Sequence, residues 1–118
     1  SDLLVDSRGN VWVSTQGAGI SLWDGVQWTY LRPSNSDLPY SLVQDVEELP
    51  AGVFWIATSL PNEAGGVVSR VVGEEWQVYK PIFSGYKGAE TVAIAQDAAG
   101  RMWFGTRTAG IYIFEEKK

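Results

Sequence analysis

Two kinds of acidic side chain in this sequence have a spacing that could support chemistry. Asp6 and Asp97 each stand three residues before a glycine, in the strings "DSRG" and "DAAG", and carboxylates in loops can bind Ca²⁺. That ion takes roughly six to eight oxygen ligands, and neither string supplies a run of them. Aspartate at the first position and glycine at the fourth are typical of a type I turn. We therefore interpret both aspartates as turn formers.

Adjacent glutamates form the second candidate, at positions 47–48, 74–75 and 115–116. Two carboxylates could act as general acid and base, but successive side chains of a strand point to opposite faces, so such a pair cannot share one site. We expect these glutamates to be solvated or to guard strand edges. The chain has no histidine and no cysteine, which excludes His-centred triads, thiol nucleophiles and cysteine zinc sites. The sequence therefore predicts no enzyme, no metal site and no cofactor.

The charge and hydropathy of the chain argue against two further classes of partner. The 118 residues have a formal net charge of -5, and lysine and arginine form no cluster, which disfavours binding to a phosphate backbone. No apolar run approaches the roughly 20 residues that cross a membrane. We expect no nucleic-acid partner and no membrane contact by this segment.

A repeat organises the chain and sets the positions of these residues. Tryptophan followed by threonine three residues later occurs at Trp12, Trp55 and Trp103, with spacings of 43 and 48 residues. Each of these tryptophans stands three residues after a glycine, and a glycine with a branched aliphatic residue follows later in each copy. The first two copies add a second tryptophan, Trp28 and Trp76. Landmarks that recur in the same order indicate a repeat architecture.

Within each copy the hydrophobic pattern has a period of two, which predicts strands. Short stretches such as "VWVST" and "EWQVY" are rich in β-branched and aromatic residues. Asp24-Gly25 stands between two such stretches and predicts a hairpin. The second copy has Leu49 where the others have the turn aspartate, so we expect a looser turn there. One complete copy predicts four antiparallel strands, and the whole chain predicts about eleven.

Four-stranded antiparallel meanders that repeat in this way are typical of β-propeller blades. We predict an all-β fold with about 2.5–3 blades in this chain. The predicted boundaries are about 1–30 for blade one, 41–79 for blade two and 90–118 for a truncated blade three. Closed propellers have roughly four to eight blades, so the propeller is incomplete unless the chain is oligomeric or a fragment. We interpret Trp12, Trp55 and Trp103 as packing residues between sheets, in preference to a sugar-stacking platform.

The string D-x-x-G-x-x-W-x-x-T-x-x-x-G-I, followed by D-G-x-x-W-x-x-Y, resembles the two-component regulator propeller repeat. Residues 6–30 match it nearly throughout, and residues 97–114 match it as far as they extend. Residues 49–79 depart from it by the lost turn aspartate and by an insertion of four residues. The resemblance implies a segment from the sensor region of a bacterial hybrid histidine kinase, on the periplasmic or extracellular side. It implies ligand binding in signal transduction, but no particular chemistry.

Meander topology places the loops after the second and fourth strands of each blade on one face, which we name the loop face. These loops are irregular, and loop variation on a rigid scaffold commonly determines binding specificity. We predict that the loop face binds a small polar solute or a carbohydrate through aromatic, amide and charged groups; the alternative is that the loops only link blades. The candidate residues are Arg32, Asn35, Asp37, Tyr40, Asn62, Glu63, Tyr86, Lys87 and Arg107.

Three functions remain open from the sequence. The first is a non-catalytic sensor segment, as the resemblance implies. The second is a scaffold or protein-interaction module that closes by homo-oligomerisation, because an arc of blades exposes apolar faces at both ends. The third and least favoured is a propeller lyase or glycosidase. For the sensor and the scaffold functions, we expect the chain to contact further blades, through self-association or as part of a longer chain.

Overall fold

The computed structural model describes five stretches of the chain, which are residues 2–15, 17–59, 66–79, 90–107 and 110–114. At Asp2 and Tyr112 it describes only the backbone. These stretches form eleven strands and no helix. None of them therefore contains a helix that could span a membrane. The predicted all-β class and the predicted number of strands are confirmed.

The strands form three separate sheets, in which every pair of neighbours is antiparallel and follows sequence order. Blade one consists of β1 (Asp2–Val5), β2 (Val11–Ser14), β3 (Ile20–Trp23) and β4 (Trp28–Leu31). Blade two consists of β5 (Leu42–Glu48), β6 (Val53–Ser59), β7 (Gly66–Val72) and β8 (Glu75–Tyr79). Blade three consists of β9 (Thr91–Gln96), β10 (Met102–Thr106) and β11 (Ile111–Phe114). The predicted four-stranded meander is complete in blades one and two.

The strand register makes the three sheets comparable residue by residue. In each blade the tryptophan of the second strand lies opposite one residue of the third strand. These pairs are Trp12 with Leu22, Trp55 with Arg70, and Trp103 with Ile113. Residues at the same distance from these pairs therefore occupy equivalent places in the three blades.

The turns that join the first two strands of blades one and three close as the sequence predicts. The Gly9 amide donates to the Asp6 carbonyl at 3.0 Å, and the Gly100 amide donates to the Asp97 carbonyl at 3.0 Å. Both glycines have a positive φ, at 83° and 84°, which a residue with a side chain rarely adopts. The local turn chemistry therefore fixes where β2 and β10 begin.

The corresponding turn of blade two is closed as well, so the prediction of a looser turn is wrong. The Leu49 amide donates to the Val53 carbonyl at 2.8 Å, and the Val53 amide donates to the Pro50 carbonyl at 3.0 Å. The Leu49–Pro50 peptide bond is cis. Within this turn the Glu48 carboxylate accepts the Gly52 amide proton at 2.8 Å.

The hydrophobic core consists of two clusters, and each cluster lies between two neighbouring blades. Buried residues of the first wedge, between blades one and two, are Trp12, Ile20, Leu38, Val43, Val46, Ile56 and Val71. Those of the second wedge, between blades two and three, are Trp55, Ala57, Val68, Ile94, Met102 and Phe104. The blades therefore pack face to face, and no cluster belongs to one sheet alone.

Two of the three strand tryptophans fill these wedges as predicted. The Trp12 ring stacks on Phe54 of the next blade with 4.4 Å between ring centroids. Trp55, only 2% exposed, packs on Phe104 of the next blade at 5.9 Å. Trp103 is 37% exposed, because strand alternation turns it away from blade two and no described element lies against that side. The packing interpretation is confirmed for Trp12 and Trp55.

Candidate functional site

The carboxylate of Asp6 organises the turn that precedes the first strand tryptophan. Its Oδ1 accepts the Arg8 and Asn10 amide protons, both at 2.9 Å, and its Oδ2 accepts the indole N–H of Trp12 at 2.9 Å. Burial raises the pKa of Asp6, but the combined hydrogen bonds from Trp12, Asn10 and Arg8 outweigh it and lower the pKa below 3.8. The carboxylate is therefore ionised, and both oxygens are already in use.

Asp97 repeats this arrangement in blade three. Its Oδ1 accepts the Ala99 and Arg101 amide protons at 2.9 and 3.0 Å. Its Oδ2 accepts the Trp103 indole N–H at 2.8 Å and the Arg101 Nε–H at 2.8 Å. The Trp103 bond is the largest cause that lowers the pKa of Asp97, which falls from 3.8 to about 2. These contacts support the interpretation of both aspartates as turn formers.

Within the described stretches, no three carboxylate side chains lie close enough together to hold an ion. The carboxylate oxygens of Asp6 and Asp97 instead accept hydrogen bonds from backbone amides of their own turns and from the indole of the following strand.

Glu48 departs from the expectation that the glutamate pairs are only solvated. Its Oε1 accepts the Ser7 amide proton at 2.7 Å, and its Oε2 accepts the Ser7 hydroxyl at 2.7 Å and the Gly52 amide proton at 2.8 Å. The pKa of Glu48 is lowered, because burial, which raises it, is outweighed by the hydrogen bonds from Gly52 and Ser7. Glu48 therefore closes its own turn and ties it to the turn of blade one. In the sequence, the absence of the turn aspartate at position 49 was the signal that another side chain must close this turn.

Asp45 makes a second contact between blades that the repeat pattern did not reveal. The buried Asp45 carboxylate accepts the Ile94 amide proton at 2.9 Å through Oδ2. Asp45 lies on β5 and Ile94 lies on β9, so this bond joins the first strands of blades two and three. A buried carboxylate bonded to a backbone amide fixes the position of one sheet against the next.

On the loop face, the loop after β4 is braced by its own side chains. Asn35 accepts the Arg32 amide proton at 2.8 Å through Oδ1 and donates to the Tyr30 carbonyl at 2.8 Å through Nδ2. The Ser36 hydroxyl donates to the Arg32 carbonyl at 2.7 Å. The Arg32 guanidinium carbon lies 5.4 Å from the Tyr30 ring centroid, within the range of a cation–π contact. The loop therefore presents Arg32 and Tyr30 as one unit.

Of the other loop-face candidates, two share the connection of Arg32 and one described residue lies in another segment. Asp37 is exposed and Tyr40 is half-buried, in the same connection as Arg32. Arg107 follows β10, and its Nε lies 3.7 Å from the Glu90 carboxylate. The remaining four fall outside the described residues; they are Asn62, Glu63, Tyr86 and Lys87. The connection between β4 and β5 thus holds four of the five candidates that can be placed.

A cleft of about 560 Å³ lies in the first wedge, between blades one and two. Arg8, Glu48 and Glu74 contribute to its polar rim, and Asn35 also lines it. The first three belong to, or adjoin, the short turns that follow the first and third strands of a blade. Most of its rim thus comes from the regular turns and not from the loop face.

Comparison with known proteins identifies the repeat. Residues 85–108 match the family model described as Two component regulator propeller. The third copy is therefore similar to a two-component regulator propeller repeat. This confirms the resemblance drawn from the D-x-x-G-x-x-W-x-x-T string of that copy. Among the curated proteins, no sequence matches the chain.

Solved structures show the same blade architecture. One similar chain is the extracellular domain of a hybrid two-component system from B. thetaiotaomicron, known from a crystal structure. The comparison gives a TM-score of 0.68 and 22% sequence identity. The match covers 98% of the present chain and 14% of that solved chain. The chain described here therefore spans a small part of that domain, and at this identity the likeness concerns the fold.

Proposed function

We propose that this chain is a non-catalytic sensor segment of a bacterial two-component signalling protein, on the periplasmic or extracellular side of the cell. The two-component regulator propeller repeat supports the signalling role. The structural likeness to the extracellular domain of a hybrid two-component system supports the location. A sensor of this kind works by binding its ligand more tightly in one conformation than in another.

The proposed ligand is a small polar solute or a carbohydrate, bound at the loop face. The observation that carries this assignment is the braced loop after β4, in which the Asn35 side chain bonds to the Tyr30 carbonyl and the Arg32 amide and the Asn35 amide donates to the Arg32 carbonyl. A loop held by its own hydrogen bonds loses little conformational entropy when a ligand binds. Arg32 offers donors to hydroxyl or carbonyl oxygens, and Tyr30 offers a ring face to a sugar.

A screen of mono- and oligosaccharides and polar metabolites, read by calorimetry, tests this assignment. For a ligand found in the screen, Arg32→Ala and Tyr30→Ala should each weaken binding by about tenfold or more, because each removes a group that the proposal places against the ligand. Arg8→Ala is the matched control, since Arg8 is an exposed arginine on a short turn, and it should leave the affinity unchanged. Equal binding by the wild type and both loop variants would overturn the loop-face assignment.

The end faces of the arc favour a second candidate function, closure against further blades. Leu3 and Val5 of blade one are 69% and 67% exposed, and Trp28 on the same sheet is also exposed. At the opposite end, Ile111 and Ile113 of blade three are exposed. Apolar faces of this kind are unfavourable in water. We propose that they pack against blades of another copy or of a longer chain, as a scaffold would require.

A further inference from the structure

The two wedges share one backbone frame but are filled differently. In the second wedge, four aromatic rings come together: Trp55 and Tyr79 from blade two, and Phe104 and Phe114 from blade three. Their ring centroids are separated by 4.9 Å between Tyr79 and Phe114, and by 5.9–6.4 Å for the other contacts. Interlocking rings of this kind leave little empty space between sheets.

The first wedge has aliphatic residues at three of the equivalent positions. Ile56 directly follows Trp55, as Phe104 directly follows Trp103, so the two residues occupy equivalent positions. Val71 pairs with the residue before Trp55, as Phe114 pairs with the residue before Trp103. On the fourth strand, Leu31 occupies the position of Tyr79. Each substitution replaces a six-membered ring by a smaller, branched side chain.

All three of these aliphatic residues, Leu31, Ile56 and Val71, line the 560 Å³ cleft. Aromatic walls remain at Phe54 and Trp76, which line it too. Three of the side chains around the cleft are therefore smaller than their counterparts in the second wedge, whereas Phe54 is a ring at the position of Met102. Its volume lies within the range of about 300–1,000 Å³ that is usual for small-molecule sites.

The rim of the cleft is acidic. Three carboxylates line it, those of Asp6, Glu48 and Glu74, against the single guanidinium of Arg8. Asp6 and Glu48 accept hydrogen bonds from their own turns. The exposed Glu74 carboxylate has no hydrogen-bond partner within the described stretches. An excess of negative charge at the mouth of a site favours a cation over an anion.

We propose that the cleft between blades one and two binds a small aromatic ammonium compound. The ring of the ligand replaces the missing rings against Phe54 and Trp76, and its ammonium group faces Glu74. Apolar clefts of ring size take up aromatic molecules because the ring leaves water and gains dispersion contacts. Of the described loop-face candidates only Asn35 lines this cleft, and the proposed site goes beyond the sensing of a polar solute or carbohydrate at the loop face.

Titration of the 118-residue chain with 2-phenylethylamine tests the proposal, with phenylacetate as the charge-reversed probe. The indole N–H signals in a ¹H–¹⁵N NMR spectrum report the site, because Trp12 and Trp76 line the cleft. Both signals should shift and saturate, whereas the signal of Trp55 in the second wedge should stay unchanged. Phenylacetate should bind about tenfold more weakly or not at all.

Variants that refill the cleft give the sharper result. Val71→Phe installs the ring that Phe114 supplies in the second wedge, and should weaken 2-phenylethylamine binding by about tenfold or more. Val26→Phe is the matched control, because Val26 lies on an exposed hairpin turn. Should Val71→Phe fail to fold, Leu31→Tyr makes the same test with the ring of Tyr79. Glu74→Lys should abolish the preference for the amine over the acid.

Three results would overturn the proposal. One is the absence of any saturable shift at Trp12 and Trp76 with millimolar 2-phenylethylamine. Another is unchanged affinity in a folded Val71→Phe or Leu31→Tyr chain. The third is a shift of Trp55 as large as that of Trp12, which would indicate general association with indole rings. A carbohydrate that still loses affinity in Arg32→Ala would leave the sensing function standing in each case.

Discussion

At the residue scale, the hydrogen bond between an indole N–H and its turn explains the spacing of the repeat motif. In blades one and three the indole donates to an aspartate six residues earlier, whereas the Trp55 indole donates to the Leu49 carbonyl at 2.7 Å. Aspartate therefore serves both as a turn former and as the acceptor for the buried edge of a tryptophan. The string "DSRG" predicted the turn, but the bond to Trp12 depends on the path of the next strand.

Asp6→Ala is expected to lower the free energy of unfolding by about 1–3 kcal/mol, because it leaves the Trp12 indole N–H and two backbone amides without their acceptor. Asp6 is 8% exposed, so water replaces these bonds poorly. Urea denaturation measures the change. Asp24→Ala, in the exposed hairpin turn where Asp24 accepts the Val26 and Gln27 amide protons, should have a smaller effect. Equal losses in both variants would contradict a special role for the indole bond.

Asp97 makes stability depend on pH at the acidic end. Its pKa is lowered from 3.8 to about 2 in the folded chain, chiefly by the Trp103 indole. Because the carboxylate is ionised more readily when folded, its contribution is complete above pH 3.8 and is lost as the pH falls towards 2. Denaturant unfolding at several pH values in this window should show a shallower decline for Asp97→Asn than for the wild type. Parallel declines would show that Asp97 is not responsible.

At the element scale, the sequence predicted the strands and turns because both depend on local pattern. Alternating residues mark the strand faces, and the Asp–Gly turns mark where strands begin. The contacts of Glu48 with Ser7 and of Asp45 with Ile94 join residues 41 and 49 positions apart. No local pattern reveals such bonds, because they depend on the packing of one finished sheet against another. The same limit applies to the cleft, which exists only where two blades meet.

The wedge positions predict unequal effects for equivalent tryptophans. Trp55→Ala should lower the free energy of unfolding by about 3–5 kcal/mol, because it opens a cavity among the rings of the second wedge. Trp103→Ala, at the same repeat position but 37% exposed, should cost less than half as much. Chemical denaturation of the two variants gives the comparison. A similar loss in both would mean that burial between blades does not set the importance of these residues.

At the scale of the whole molecule, the exposed end faces distinguish this arc from a closed propeller. Leu3 and Val5 lie on the outer face of blade one. The corresponding faces of blades two and three are buried inside the two wedges. The repeat predicted these faces, since three blades are fewer than the roughly four that the smallest closed propeller needs. We propose that further blades, of another copy or of a longer chain, cover them.

If copies of the chain cover these faces, self-association should depend on them. Sedimentation velocity of the wild type should show a species larger than the monomer that grows with concentration. Leu3→Glu should shift the distribution towards monomer, because it places a charge where blades two and three have the buried Val46 and Ile94. Val26→Glu, on an exposed turn, serves as the control and should leave it unchanged. A folded monomer at all concentrations would rule out closure by a second copy.

The central claim is that the tryptophan–threonine repeats form successive blades whose tryptophans pack across the wedge onto the next sheet. Nuclear Overhauser contacts between aromatic protons test it directly in solution. The account predicts contacts from Trp12 to Phe54 and from Trp55 to Phe104, residues of different sheets. Contacts of Trp12 or Trp55 with their own sheet alone, or with each other, would contradict the blade arrangement.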